Sequence, residues 1–156
     1  MNFSSVRNQI PCTVQDIQVG TTTTNVKLSV FNSKLTLYST MMNEEATQIN
    51  LQKDDRVLAM FDAFSIIVNI PTRGVQYSCK NMFVCKNLKV SVQSSAFCEL
   101  DCYLNKSIKL VTTVTASTCH MLQSYFQPDQ EPHFELLVNP ANIMIAKQMY
   151  KVTEEN

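Results

Sequence analysis

The chain writes one small chemical set twice. Ser5-Val6-Arg7-Asn8 returns 73 positions later as Ser78-Cys79-Lys80-Asn81. Each copy places a hydroxyl, a cation and an amide within four residues. Such a set offers hydrogen-bond donors and positive charge, and a small anion site needs only a few local donors of this kind. It does not offer acid–base or nucleophilic chemistry. The chain has no Gly-rich phosphate loop, no His-anchored nucleophile and no pair of carboxylates in matching contexts. His120 and His133 have no partner at metal spacing and read as surface or cap residues. The chemistry expected is binding, not catalysis.

The echo belongs to a longer repeat. Cys12 and Cys85 follow at the same distance, and Lys34–Thr40 falls on Ser107–Thr113 with the same offset of 73. Ala59–Val68 falls on Leu136–Ile145 with an offset of 77, so one four-residue indel separates the blocks. Three blocks in one order predict two tandem copies, 1–70 and 77–146. Pro71-Thr72-Arg73-Gly74 marks a linker over 71–76, and 147–156 is a polar tail.

The elements that must position the motif are short strands. In the first copy, imperfect alternation over Gln9–Val19, turning at Gly20, reads as strand, and Asn25–Phe31 alternates cleanly with Val26, Leu28 and Val30. Thr21–Thr24 is β-branched edge sequence or a set of hydroxyl donors. Asn32-Ser33 is a turn into the strand Lys34–Thr40, and Asn43–Ile49 reads as a short helix capped by Asn43 with acids in its first turn. Lys53–Asp55 is a turn, and Arg56–Phe61 and Ser65–Val68 close the copy. The second copy follows suit: strands 87–93, 96–104 and 106–113, a helix 117–126, a turn 127–132, then strands 133–138 and 143–146. Five short strands with one small helix per copy leave open edges unless they close into a barrel. The expected class is therefore all-β, as tandem OB-like five-stranded barrels.

The bulk numbers agree. At 156 residues, 45% hydrophobic and 17% charged, the chain is globular. Two units of about 70 residues each bury little core and are expected to pack on one another or on further subunits. The formal net charge of zero argues against a nucleic-acid partner. No run of 18 apolar residues suggests a membrane span, and the start lacks the regions of a signal peptide, so a cytoplasmic location is expected. Five of the six Cys lie in the second copy without a Cys-x-x-Cys pair, which favours buried free thiols. Cys98 and Cys102, four apart in a strand, would share a sheet face.

At this point the chain resembles the small molybdate-binding proteins, the molbindins built from the Mop or TOBE domain. Ser5-Val6-Arg7-Asn8-Gln9 is similar to the family's Ser-Ala-Arg-Asn-Gln opening, and Cys12-Thr13-Val14 to its Gly-Thr-Val strand. Leu35-Thr36, Leu51–Asp55 and Asp62–Val68 follow in the family's order. The resemblance covers nearly all of 3–70 and, more faintly, 77–146. It implies a tandem homo-oligomer, a trimer in this family, that holds molybdate or tungstate with no covalent cofactor and no metal site, between domains and subunits, for storage or homeostasis.

A tetrahedral dianion needs many donors, some positive charge and no acceptor aimed at it. The resemblance then points to Ser5 and Ser78 as donors and to Arg7 and Lys80 as cations. Asn8 and Asn81 either donate or tie the segment to a neighbour. Thr40 and Thr113, which precede the helices, either donate or cap them. Ser65 and its counterpart Asn142 complete the set. The family's closing Lys is Asp62 in one copy and Asn139 in the other, and only Gly20 and Gly74 remain of several family glycines. Those departures support an alternative of another class, an interaction or regulatory module that has lost the anion.

Overall fold

The computed structural model describes residues 4–125 and 133–149. The expected turn at 127–132, the end of the helix at 126 and most of the tail lie outside these residues. The chain forms two compact units. Unit A takes residues 9–60 and the segment from 140 onward, and unit B takes the segment up to 8 with 61–139. The closing segment of each sequence copy is thus built into the unit formed mainly by the other copy.

Unit A is organised on one five-stranded sheet. The strands are β1 (Asn8–Val19), β2 (Thr23–Val30), β3 (Thr36–Met42), β4 (Arg56–Phe61) and β11 (Met144–Ala146). Their order is β11-β4-β1-β2-β3. Alternation puts one face inward: Val14 on β1, Val26 and Leu28 on β2, Leu37 on β3 and Ala59 on β4 are all fully buried. The hairpin turn at Asn32 needs a positive φ of 53°, which Asn tolerates. Helix α1 (Asn43–Gln48) follows β3 directly. Its cap differs from expectation. Met42 is the cap residue, and its N–H donates to the Glu45 carboxylate at 3.0 Å. Asn43 is instead the first helical residue. Its amide donates to the carbonyls of Gly20 (3.0 Å) and Thr21 (3.2 Å) and accepts from the buried Thr24 hydroxyl at 2.7 Å. The threonine run therefore forms a turn and strand start pinned to the helix.

Unit B repeats this plan with one break. Its sheets are β5-β10-β6 and β7-β8-β9. The strands are β5 (Ile66–Asn69), β6 (Asn81–Cys85), β7 (Asn87–Gln93), β8 (Phe97–Tyr103), β9 (Lys109–Thr115) and β10 (Phe134–Val138). Read through the break at Lys86, β6 and β7 together match β1, and the strand order becomes that of unit A. Strand β6 is not expected from the sequence reading, since its five residues follow the Ser-Cys-Lys-Asn motif without a turn signal. The core is Cys98, Leu100 and Cys102 on β8, Leu110 on β9, and Phe134, Leu136 and Val138 on β10. Helix α2 (Ala116–Ser124) adds Cys119 and Leu122, and its N-cap is Thr115, which accepts from Thr118 N–H at 3.2 Å.

All six cysteines are free thiols, and all but Cys79 are buried. Cys98 and Cys102 do share the inner face of β8. Burial raises the Cys12 thiol to about 12, and burial with a hydrogen bond donated to Cys98 raises Cys119 to about 11. Donation of its S–H to Cys85, together with burial, also holds Cys102 protonated, and the same bond lowers Cys85. Cys12, Cys102 and Cys119 thus pack as protonated, small apolar side chains.

Candidate functional site

The repeated motif has one structural place. Asn8 opens β1 and Asn81 opens β6, and both are buried, at 3% and 0% exposure. Ser5 and Arg7 are exposed just ahead of β1, and Ser78 and Lys80 are exposed just ahead of β6. Burial of the Asn anchors the segment, and the hydroxyl and cation are left outward. Asn8 shows how. Its Nδ2 donates to the Val111 carbonyl at 2.9 Å, and its Oδ1 accepts from Val111 N–H at 2.8 Å. Both ends of the amide are therefore spent on the backbone of β9, in the manner of a strand neighbour.

The closing segments are held by a second matched device. Each carries a 3-10 turn, Ala63–Ser65 in unit B and Pro140–Asn142 in unit A. In unit A the buried Ser39 hydroxyl on β3 donates to the Ile143 carbonyl at 2.6 Å. In unit B the buried Thr112 hydroxyl on β9 lies 3.2 Å from the Ala63 carbonyl and 3.3 Å from that of Ile66. Ser39 and Thr112 occupy the same repeat position, one residue before Thr40 and Thr113. Each inward hydroxyl thus places the turn beside the next, outward-facing threonine.

In unit A this juxtaposition is an open cleft of about 360 Å³, lined by Thr40, Glu45, Asn142 and apolar neighbours including Ile49 and Ile143. The pairing differs from the chain order of the copies: Thr40 meets Asn142 of the second copy, not Ser65 of its own. The Thr40 hydroxyl donates to Asn25 Oδ1 at 2.8 Å, directly across from it on β2. Neither Thr40 nor Thr113 caps a helix, for each lies inside its strand.

In unit B, Thr113 stands opposite Glu99 on β8. Glu99 forms an ion pair with Arg7, whose side chain is 57% exposed against 20% for the carboxylate. The same sheet carries the ion pair Lys109–Asp101, at 3.8 Å, with the Lys89 ammonium 5.6 Å from the Tyr103 ring centre. Phe64, next to Ser65 on the 3-10 turn, packs edge-to-face on Phe97 with ring centres 6.0 Å apart. Glu99, Asn25, Ser39 and Thr112 do not emerge from sequence reasoning. The only signal for them is the repeat itself, which aligns Ser39 with Thr112 and the two outward threonines with each other.

Two units with the same strand order, each with a small helix and a closing 3-10 turn, define an all-β protein of OB-like architecture. Comparison with known proteins sharpens this. Residues 4–68, which fall in the first copy, match the model of the TOBE domain. The fold is also similar to a crystal structure of the cytoplasmic molybdate-binding protein ModG, in a form with molybdate bound. The TM-score is 0.82, at 16% identity, over 94% of this chain and the whole of that one. Comparison with curated proteins found no match.

Proposed function

We propose that the protein captures molybdate or tungstate reversibly and without covalent chemistry, for storage or homeostasis of the oxyanion in the cytoplasm. What supports this reading is the TOBE-domain match over residues 4–68 together with the repeated Ser-x-cation-Asn motif, each copy of which opens a strand on a buried Asn. Ser5, Arg7, Ser78 and Lys80 lie at the surface beside these anchors, and in this reading they supply donors and positive charge to a tetrahedral dianion, which Arg7 does by exchanging Glu99 for the ligand. Thr40 with Asn142, and Thr113 with Ser65, supply further hydroxyl and amide donors. No helix among the described residues is long and apolar enough to cross a membrane. In this reading the sequence copies 1–70 and 77–146 are a duplicated oxyanion unit, the protein is a homo-oligomer, and sites are completed at domain and subunit interfaces.

Isothermal titration calorimetry with molybdate, with sulfate as control and the oligomer mass measured on the same sample, tests it. Selective binding at a fixed ratio to subunits is expected, weakened in Ser5→Ala. A folded protein that gives no heat with either anion would sink the proposal in favour of an interaction module.

A further inference from the structure

Glu99 sits where an oxyanion site should have no acceptor. It faces Thr113 across the β8–β9 ladder, and residues directly opposite in an antiparallel pair bring their Cβ atoms to about 5 Å. It also holds Arg7, the cation of the first Ser-x-cation-Asn motif. Its carboxylate therefore occupies guanidinium N–H that a ligand oxygen would need. The equivalent position in unit A is Asn25, opposite Thr40, which carries no charge.

We infer that Glu99 is a resident counter-anion that sets the affinity and the charge selectivity of the Arg7–Thr113 site in unit B. This deepens the oxyanion reading and rests on it. An incoming anion must displace the carboxylate from Arg7 and bind beside it. The repulsion between them grows with the charge of the ligand. The neighbouring charges are Asp101, Lys109 and Lys89 on the same sheet, and Lys109 already serves Asp101. None of these substitutes for Arg7 in the Thr113 row, whose β7 member is Val92. The site as built is thus tuned down for dianions, and more strongly than for monoanions.

The test is calorimetry on the full chain with two tetrahedral probes, molybdate as dianion and perrhenate as monoanion. Wild type is compared with Glu99→Gln, and with Glu99→Asn, which copies the unit A residue; thermal melting establishes that both variants are folded. Removing one negative charge is expected to tighten molybdate binding by about tenfold and perrhenate by about threefold, since the Coulomb contribution doubles with ligand charge. Equal gains, no gain or a loss for both probes, with wild type still binding molybdate, would overturn the role of Glu99 and leave the oxyanion reading intact. Absence of binding by wild type and both variants would overturn that reading, and this inference with it.

Discussion

Asn25 in unit A and Glu99 in unit B occupy the same place, opposite the outward threonine of the third strand, and they differ by one charge. Around them the backbone plan is shared: the strand order, the inward hydroxyl under a 3-10 turn, the small helix after the threonine strand. The contrast teaches that the fold and the electrostatics of the site are carried by different residues. Inward positions (Ser39 and Thr112, Asn8 and Asn81) are matched in kind and in burial. Outward positions are free to diverge, because a solvent-facing strand residue costs the fold little. A duplicated scaffold can thus keep two geometries alike while giving them unlike affinities.

The comparison is broken most forcefully at the buried amides. Asn8→Ala leaves the N–H and carbonyl of Val111 without their partner, and a loss of about 2–4 kcal/mol is expected in urea unfolding. Asn81→Ala, at the matching buried position, should cost a comparable amount. A small effect from one and a large effect from the other would show that only one copy uses its motif as an anchor. Next come the inward hydroxyls. Thr112→Val removes a donor shared by two carbonyls, and Ser39→Ala removes a donor to one, so losses of about 1–2 kcal/mol are expected, the larger from Thr112. Thermal unfolding of the two variants side by side measures the difference.

The outward positions test the other half of the contrast. Asn25→Glu would give unit A the charge that unit B has, against Thr40 of a cleft that already holds Glu45. Molybdate binding measured by calorimetry should weaken by about tenfold, with stability nearly unchanged. The smallest effect concerns an ion pair of unit A. Lys147 lies 2.8 Å from the Asp55 carboxylate and donates to the Asn50 carbonyl at 2.7 Å. Partial burial raises the Asp55 carboxyl, but the hydrogen bond from Lys147, the Gln52 N–H and the Lys147 charge outweigh it, and the net position is below the ordinary value. A depressed carboxylate stabilises above its unfolded value and loses that contribution as pH falls through its folded one. Lys147→Met should therefore cost about 0.5–1 kcal/mol at pH 7 and progressively less as pH falls through the depressed Asp55 value. A cost that does not shrink as the solution is acidified below the ordinary carboxylate range would assign the effect to packing of the Lys stem.

Much of the fold is legible in the sequence because it is written in local pattern. Val26, Leu28 and Val30 alternate, Asn32 and Asp54 mark turns through the positive φ they adopt, and the 73-residue offset aligns whole strands. The fate of the closing segments is not written locally. Nothing in Ile66–Asn69 or Met144–Ala146 tells which sheet they will join, since edge pairing is chosen by backbone register and shape. The site is legible in its residue types but less so in its partners. Arg7 and Glu99 lie 92 positions apart, and Glu99 in an alternating strand reads as an ordinary solvated carboxylate. Asn8 meets Val111 across 103 positions, so its anchoring role becomes visible only once β9 is in place. Lys147 falls in a stretch read as tail, and its value comes from Asp55 and Asn50, nearly a hundred positions earlier.

The traded closing segments have one more consequence. Unit A needs β11 from the second copy, and unit B needs β5 and Asn8 from the first. A protease that nicks the exposed stretch between 71 and 76 therefore separates no working half. It leaves two fragments that complement each other, and their association then obeys mass action: the nicked protein should melt lower on dilution by a wider margin than the intact chain does. Seen this way the linker is less a spacer than a concentration. It holds each fragment in the presence of the other at an effective level on the order of millimolar.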